Sequence, residues 1–329
     1  MDSQLSMPAL SVVVPCFNEE ANLSELRRRI VGSCEPEVGD DFELVLIDDG
    51  STDRTWTLME QTCAADRRVV AIRFARNFGH EAAMTAGLTL CRGRRVFILD
   101  ADLQDPPELL GEMMRLMDDG ADVVYGRRRR RDGETAFKKL SAKLFYRLLA
   151  RLADVEIPAD TGNFRLINRR ALDVLNAMPE RFRFTRGMVS WIGFRQVPLF
   201  YDRAPRSGGA TKYTLRKMIR YAIDAMTSFS VMPLRLASYL GVTMSILSIV
   251  LILYVIGSWF AGAAVAGWTS LMSIVLGIGG VELLVLGVIG EYLGRLYMEG
   301  KQRPLFVIDT VCQQPLVHAA AAGNETRAA

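Results

Sequence analysis

From Leu10 to about Asn168, short runs of aliphatic and β-branched residues alternate with stretches whose apolar positions recur at helical spacing. That alternation is the pattern of an α/β domain, a mostly parallel sheet covered by helices. The runs predict strands at Leu10–Val14, Phe42–Asp48, Val69–Phe74, Val96–Leu99, Asp122–Tyr125 and Phe164–Ile167. In such sheets ligands gather beyond the carboxyl ends of the strands. The residues there are Pro15-Cys16-Phe17-Asn18-Glu19, Asp48-Asp49-Gly50-Ser51, Arg76-Asn77-Phe78-Gly79-His80 and Asp100-Ala101-Asp102, all polar and turn-prone. Asp105-Pro106-Pro107-Glu108 predicts a helix start, with Asp105 capping free amides and proline in the first turn.

The pattern changes beyond this domain. In Ala136 to Ala153, Lys139, Lys143, Arg147 and Arg151 recur every fourth residue beside an apolar face, and in Thr211 to Met226, Lys212, Arg216 and Arg220 do the same. A helix of this kind lies in a lipid headgroup layer or packs on a sheet with its basic face in water. The membrane segments that follow favour the first reading for 211–226 and leave both open for 136–153. No charged residue occurs between Arg235 and Glu282, a stretch of about 46 residues and roughly twice one bilayer crossing. Leu236–Phe260 and Trp268–Ile289 therefore predict two transmembrane helices joined by a tight hairpin at 261–267. Arg235 precedes the pair and Arg295, Lys301 and Arg303 follow it, so both ends are expected on the cytoplasmic side. Glu282, costly in lipid, is expected to face another helix, a protein partner or a polar substrate group. The Ala-rich stretch after Val317 predicts disorder.

Composition adds exclusions. A net charge of +3 on 329 residues, without a recognised motif, gives no reason to expect nucleic acid. Cys16, Cys34, Cys63, Cys91 and Cys312 are scattered with no CxxC pair, which argues against a disulfide framework or a zinc site and fits a reducing compartment. Met1 to Leu10 lacks a basic region followed by an apolar core, so a catalytic part in the cytoplasm is expected.

Candidate chemistry sits at the strand ends. Asp100, Asp102 and Gln104 offer oxygen ligands suited to Mg²⁺ or Mn²⁺, ions that bridge nucleotide phosphates. In an extended loop Asp102 and Gln104 would point the same way, although paired Asp residues also cap turns. The Asp48 to Asp53 run serves equally as a turn with a helix cap or as a carboxylate accepting the imide proton of uracil or guanine. No G-x-G-x-x-G follows the first strand and there is no Walker loop, which counts against dinucleotide-binding and P-loop chemistry.

The ordered set VPCFNEE (Val14 to Glu20), IDDGSTD (Ile47 to Asp53), RNFGHE (Arg76 to Glu81), DADLQDPPE (Asp100 to Glu108), TGNFRL (Thr161 to Leu166) and GGATKY (Gly208 to Tyr213) resembles the polyprenyl-phosphate glycosyltransferases of the inverting family 2 type, among them dolichol-phosphate mannose synthase. With the helical tail ending in GVIGEYLGRLY (Gly287 to Tyr297), the chain is similar to bactoprenol glucosyltransferases of O-antigen modification. The resemblance implies a GT-A-type fold that transfers one hexose from a UDP-sugar, UDP-glucose foremost, to undecaprenyl phosphate at the inner face of the cytoplasmic membrane. It implies Pro15, Asn18, Glu19, Asp48 and Asp49 around the nucleoside, Asp100 and Ala101 near ribose or phosphates, and Asp102 and Gln104 on the metal. Arg127, Arg165 and Lys212 match phosphate-binding positions, and Arg128, Arg206 and Lys212 are assigned to the acceptor phosphate. The run Arg127 to Arg131 would otherwise be a solvated charge cluster. The division that follows is a glycosyltransferase domain at 1–209, juxtamembrane amphipathic helices at 210–235, two transmembrane helices at 236–297 and a cytoplasmic tail at 298–329. A homo-oligomer, a tetramer by resemblance, and a flippase partner are also implied.

One residue departs from the pattern. The family motif reads TGDF where this chain has Asn163, which cannot act as a base, so Asn163 is expected to position and Asp160 to substitute in part. A phosphate monoester has a second pKa of about 6, so its dianion needs little deprotonation. The rival from another class is a weak nucleotide-binding scaffold that recruits a flippase. A processive polysaccharide synthase is disfavoured because the chain has no QxxRW motif and no further apolar spans.

Overall fold

A computed structural model describes residues 7–129, 161–202, 231–261 and 267–314. The segments 136–153 and 211–226, and with them Asp160, Arg206 and Lys212, lie outside the described residues. The chain forms two compact units, one of Met1–Glu134, Ile157–Thr211 and Pro304–Ala329, the other of Thr135–Glu156 and Lys212–Arg303.

In the first unit the order is β1 (Leu10–Cys16), α1 (Leu23–Val38), β2 (Phe42–Asp48), α2 (Thr55–Ala65), β3 (Val69–Phe74), α3 (His80–Leu90), β4 (Arg95–Ile98), a 3₁₀ turn (Pro107–Leu109), α4 (Leu110–Asp118) and β5 (Val123–Arg128). Then come β6 (Thr161–Asn168), α5 (Arg169–Ala177), α6 (Thr185–Trp191) and β7 (Gln196–Tyr201). Every residue of β1 and β2 is buried, which explains why both read as nearly unbroken apolar runs: helices cover both faces. Helix α1 turns Leu23, Leu26, Ile30 and Cys34 inward, a single stripe at three- and four-residue spacing, and α4 does the same with Leu110, Met113, Met114 and Met117. Helix α3 lies closer to the sheet, since a Cβ on Gly87 would fall 2.3 Å from Val13 Cγ1. The polar exceptions in the core are paired: buried Glu43 accepts from Ser11 Oγ (2.7 Å) and from the Arg92 guanidinium (2.8 and 2.9 Å).

The strands lie in the order β7-β5-β6-β4-β1-β2-β3-β8, where β8 is Ile308–Gln313. Four of the seven pairings are parallel, and β6 runs antiparallel to both β4 and β5. The start of β6 therefore lies at the same sheet edge as the carboxyl ends of β1 to β5 and β7. Six strands appear where the hydrophobic pattern predicts them, with ends shifted by up to three residues. Two further strands, β7 and β8, were not predicted. Strand β7 carries Pro198, which normally demotes a run, but it is the outermost strand and an edge tolerates a missing N–H. Strand β8 closes the other edge with only Ile308 and Cys312 partly covered.

In the second unit α7 (Met232–Phe260) and α8 (Trp268–Gly300) pack on one another. Met232–Ser258 and Gly277–Gly300 are long and apolar enough to cross a membrane. Helix α8 runs eleven residues beyond the expected end at Ile289. Along α7, the hydroxyls of Ser238, Thr243 and Ser245 donate to the carbonyls four residues earlier (2.8 to 3.0 Å), so these polar groups need no water. Leu253, Tyr254 and Leu283 are exposed, an apolar surface of the kind a bilayer covers.

One ion-pair cluster sets an acid limit on the sheet domain. Asp66 follows α2, is only 9% exposed, and accepts from Arg68 Nε and Nη2 (both 3.0 Å) and from Arg27 Nη2 (3.0 Å). Burial alone would raise the Asp66 carboxyl pKa, but the bonds from Arg68 and Arg27 outweigh it and lower the value to about 2. A folded value below the ordinary one means the stabilisation is complete above about pH 4 and is lost as pH falls through about 2. Asp66→Asn is expected to lower the unfolding free energy at pH 7 by about 2 kcal/mol. Denaturant unfolding of both proteins from pH 7 to pH 2 checks this: the gap should close towards pH 2, and a gap independent of pH contradicts it.

Candidate active site

The loops after β1 and β2 hold each other. Asn18 turns through a left-handed φ of 57°, which asparagine tolerates. Its N–H donates to Ser51 Oγ and its Oδ1 accepts the Thr52 N–H, both at 2.9 Å, while the Glu19 N–H donates to Thr55 Oγ1 at 2.9 Å. Pro15 lies buried in β1, paired with Ile47. The predicted nucleoside residues Pro15, Asn18, Glu19 and Asp48 are thus brought onto two adjoining strand ends. Gly50, at φ 68°, lets the second loop nest on the next, because a Cβ there would fall 2.6 Å from the Arg76 carbonyl carbon.

The neighbouring carboxylates Asp48 and Asp49 do different work. Asp48 is fully buried; its Oδ1 accepts the Ser51 N–H (3.0 Å), while Oδ2 has no hydrogen-bond partner and lies 3.8 Å from Arg73 Nε. Buried carboxylate oxygens are normally hydrogen-bonded, and among the described residues the charge on Oδ2 is met only by the Arg73 guanidinium. Asp49 accepts the Phe78 N–H (2.7 Å) and the Gly79 N–H (2.9 Å), which fixes the turn into α3. Burial raises the Asp49 pKa, and those two amides draw it partly back.

The loop after β4 carries Asp100, Ala101, Asp102 and Gln104. It is not extended: Leu103 has a left-handed φ of 58°, and Asp102 Oδ1 accepts the Gln104 N–H at 3.2 Å. The expected two-residue alternation of Asp102 and Gln104 therefore does not hold, because the backbone turns between them. Ala101 is buried, while Asp100, Asp102 and Gln104 are half-buried. Among the described residues no three His, Cys, Asp or Glu side chains form a cluster able to hold a metal. Two carboxylates and an amide nevertheless fit a hard divalent ion that takes its remaining ligands from phosphate and water. Asp100 is also tied to His80, whose Nε2 lies 3.0 Å from Asp100 Oδ1. Partial desolvation lowers the His80 pKa, but the bond and charge of Asp100 outweigh it and the net direction is upward.

Across β6 the edge becomes basic. Buried Asn163 accepts from Arg186 Nε on α6 (3.1 Å), and buried Arg165 donates from Nη2 to the Gly162 carbonyl (3.0 Å). Arg127, half-exposed at the end of β5, stacks over Phe200 at 5.5 Å. The Tyr201 hydroxyl donates to Asp105 Oδ1 at 2.6 Å, and the Arg128 guanidinium is near enough to lower the pKa of that hydroxyl against its burial. Gly126 makes room for this arrangement, since a Cβ there would fall 2.4 Å from Phe164 and 2.8 Å from Tyr201.

Asp105 is therefore not the expected helix cap. The 3₁₀ turn starts at Pro107 without a side-chain cap bond, and Asp105 is 1% exposed and bonded to β7. Sequence reading assigned no role to Tyr201, Arg186 or His80. Tyr201 and Arg186 stand in or beside elements without a strong pattern, whereas His80 was signalled by its place in RNFGHE.

Residues 11–175 match the model of glycosyl transferase family 2. An uncharacterised glycosyltransferase, YkcC, of Bacillus subtilis is 44% identical over 301 residues, 91% of this chain and 92% of the relative. The bactoprenol glucosyl transferase of Shigella phage SfV is 35% identical over 305 residues, 91% and 97% of the two chains. Among solved structures, glucosyl-3-phosphoglycerate synthase of Mycobacterium tuberculosis is 21% identical with a TM-score of 0.43, covering 67% of this chain and 78% of that one. With the family model matched over half its length and relatives aligned nearly end to end, the chain belongs to glycosyl transferase family 2.

Proposed function

We propose that the protein transfers one hexosyl group from a UDP-sugar, UDP-glucose foremost, to undecaprenyl phosphate at the membrane surface, with inversion at the anomeric carbon. One observation carries this reading: a single sheet edge passes from acceptor carboxylates at Asp48, Asp100 and Asp102 to guanidinium groups at Arg127, Arg128, Arg165 and Arg186, in a chain with two helices long enough to cross a bilayer. The first set suits a nucleobase and a metal-bound diphosphate; the second suits a phosphate nucleophile. Relatives named bactoprenol glucosyl transferase support a polyprenyl phosphate as acceptor.

In this proposal the Asp48 carboxylate accepts the imide N–H of uracil, and Asn18 and Glu19 shape the rest of the nucleoside site. Asp102, with Asp100 and Gln104, would hold Mg²⁺ or Mn²⁺, which supplies charge neutralisation for the departing diphosphate. A lipid phosphate oxygen attacks the anomeric carbon, a new C–O bond forms as the bond to UDP breaks, and the products are a polyprenyl-phosphate sugar and UDP. The guanidinium groups orient the acceptor and offset its charge, so catalysis is positional and electrostatic. Arg186 holds Asn163, a neutral residue, which suits a nucleophile that arrives already ionised.

Four experiments test this reading. In detergent-solubilised enzyme given undecaprenyl phosphate and a panel of nucleotide sugars, mass spectrometry should find one hexose per lipid with a UDP donor. Asp102→Ala should abolish that product, and undiminished transfer by the variant would sink the metal assignment. Asn163→Asp should change kcat by less than about tenfold at pH 8, where the acceptor is dianionic; a gain of the 10² to 10⁴ typical of general-base catalysis would show that a base was missing. Tyr201→Phe keeps the ring and removes only the donor to Asp105. It should lower kcat/KM on the order of tenfold, mainly through a higher KM for the metal–donor complex, and lower the unfolding free energy by roughly 1 to 3 kcal/mol while the domain stays folded. Unaltered kinetics would show that the bond does not position the loop.

A further inference from the structure

Two of the five cysteines meet. Cys63, buried in the last turn of α2, and Cys312, half-buried in β8, bring their sulfurs to 2.7 Å. That is longer than a disulfide bond of about 2.0 Å but nearer than two thiols rest. Their positions are fixed by contacts that do not involve sulfur. Strand β8 is laddered to β3 with Cys312 opposite Ala71 and Gln313 opposite Val70. The Gln314 side-chain amide donates to the Cys63 carbonyl at 3.1 Å and to the Ala64 carbonyl at 2.5 Å, two of the carbonyls a helix leaves unpaired at its end. The Phe306 ring stacks on Phe74 at 5.1 Å, which seats the chain before the strand begins.

We propose that Cys63 and Cys312 form a redox-modifiable pair that closes into an intrachain disulfide and fastens β8 to α2. The oxidant is a low-molecular-weight disulfide. The more accessible Cys312, as thiolate, attacks one sulfur of that disulfide, which forms a mixed disulfide and releases one thiol. Cys63 sulfur then displaces the second thiol, so the protein loses two S–H bonds and gains one S–S bond, and the oxidant leaves as two thiols. Burial first, and then the neighbouring Cys312, push the Cys63 thiol up to about 12, so it is slow to react with anything in solution and takes part as the resolving sulfur. The other three cysteines have no such partner: Cys16 and Cys91 donate to main-chain carbonyls at 3.6 and 3.4 Å, and Cys34 is buried in α1. The closed ring would contain everything between Cys63 and Cys312, both apolar helices included.

The test uses the full chain in detergent, incubated with oxidised glutathione, quenched with N-ethylmaleimide and digested. Mass spectrometry should find the Cys63 and Cys312 peptides joined, two hydrogens lighter than their sum and separated by reductant, with Cys16, Cys34 and Cys91 alkylated after denaturation. Cys63→Ser and Cys312→Ser should each abolish the joined species. If a variant fails to fold, the map of the unaltered protein still decides. Full alkylation of both thiols after oxidant, glutathione retained on Cys312, or a Cys312–Cys312 link between two copies would each overturn the proposal.

Discussion

Strand β6 runs against both its neighbours, and the placement of the site follows from that reversal. An all-parallel sheet collects only strand ends at its ligand-binding edge. Here one strand starts there, so Thr161, Gly162 and Asn163 stand between the carboxyl ends of β4 and β5. The antiparallel register also sets Arg165 opposite both Ile98 and Tyr125, one strand of residues from the loop that begins at Asp100. Acidic loops on the β1–β2–β4 side and basic residues on the β5–β7 side are thereby brought to a common border without any long connection crossing the face.

That border has an electrostatic logic. A diphosphate leaving group and a phosphate nucleophile repel, and at short range in a partly dry site the repulsion is worth several kcal/mol. Charges of one sign could relieve only one of them without misplacing the other. In the proposed reaction, separate acidic and basic sets would solve the problem in sequence: carboxylates would gather a cation that belongs with the donor, and guanidinium groups would take the acceptor directly. Asp49 does not join the acidic set. Its proximity to Asp48 would add a second negative charge in the same buried turn, and the Phe78 and Gly79 amides offset that charge in part while fixing the loop.

Much of this was legible in the sequence because strand positions and turn residues are local properties. Runs such as Phe42–Asp48 and Val69–Phe74 are largely buried on both faces, and their ends carry the polar, turn-forming residues from which the candidate site is built. Tertiary pairing was not legible. The bond from Tyr201 to Asp105 joins residues 96 apart, and nothing in DADLQDPPE distinguishes a buried acid from a helix cap. The same holds for Leu103: a left-handed leucine has no local signature, yet it turns Asp102 and Gln104 out of the alternation an extended loop would give. Strand β7 was hidden by Pro198, and β8 by its mixture of polar and apolar residues, which an edge strand accepts.

The loop between β4 and α4 is gripped from two sides by contacts of unequal strength. On one side Arg29 of α1 makes a two-pronged pair with Glu108 (2.7 and 2.8 Å) and reaches the Leu103 carbonyl at 3.4 Å. Glu108 is more than half exposed, and such pairs are worth about 1 kcal/mol or less. On the other side Asp105 and Tyr201 are both buried, and breaking one partner of a buried carboxylate bond costs roughly 1 to 3 kcal/mol. The stronger grip is thus at Asp105, one residue after Gln104, and the weaker one spans Leu103 to Glu108. A loop held this way is anchored on the side of the basic residues and gives first on the side of α1.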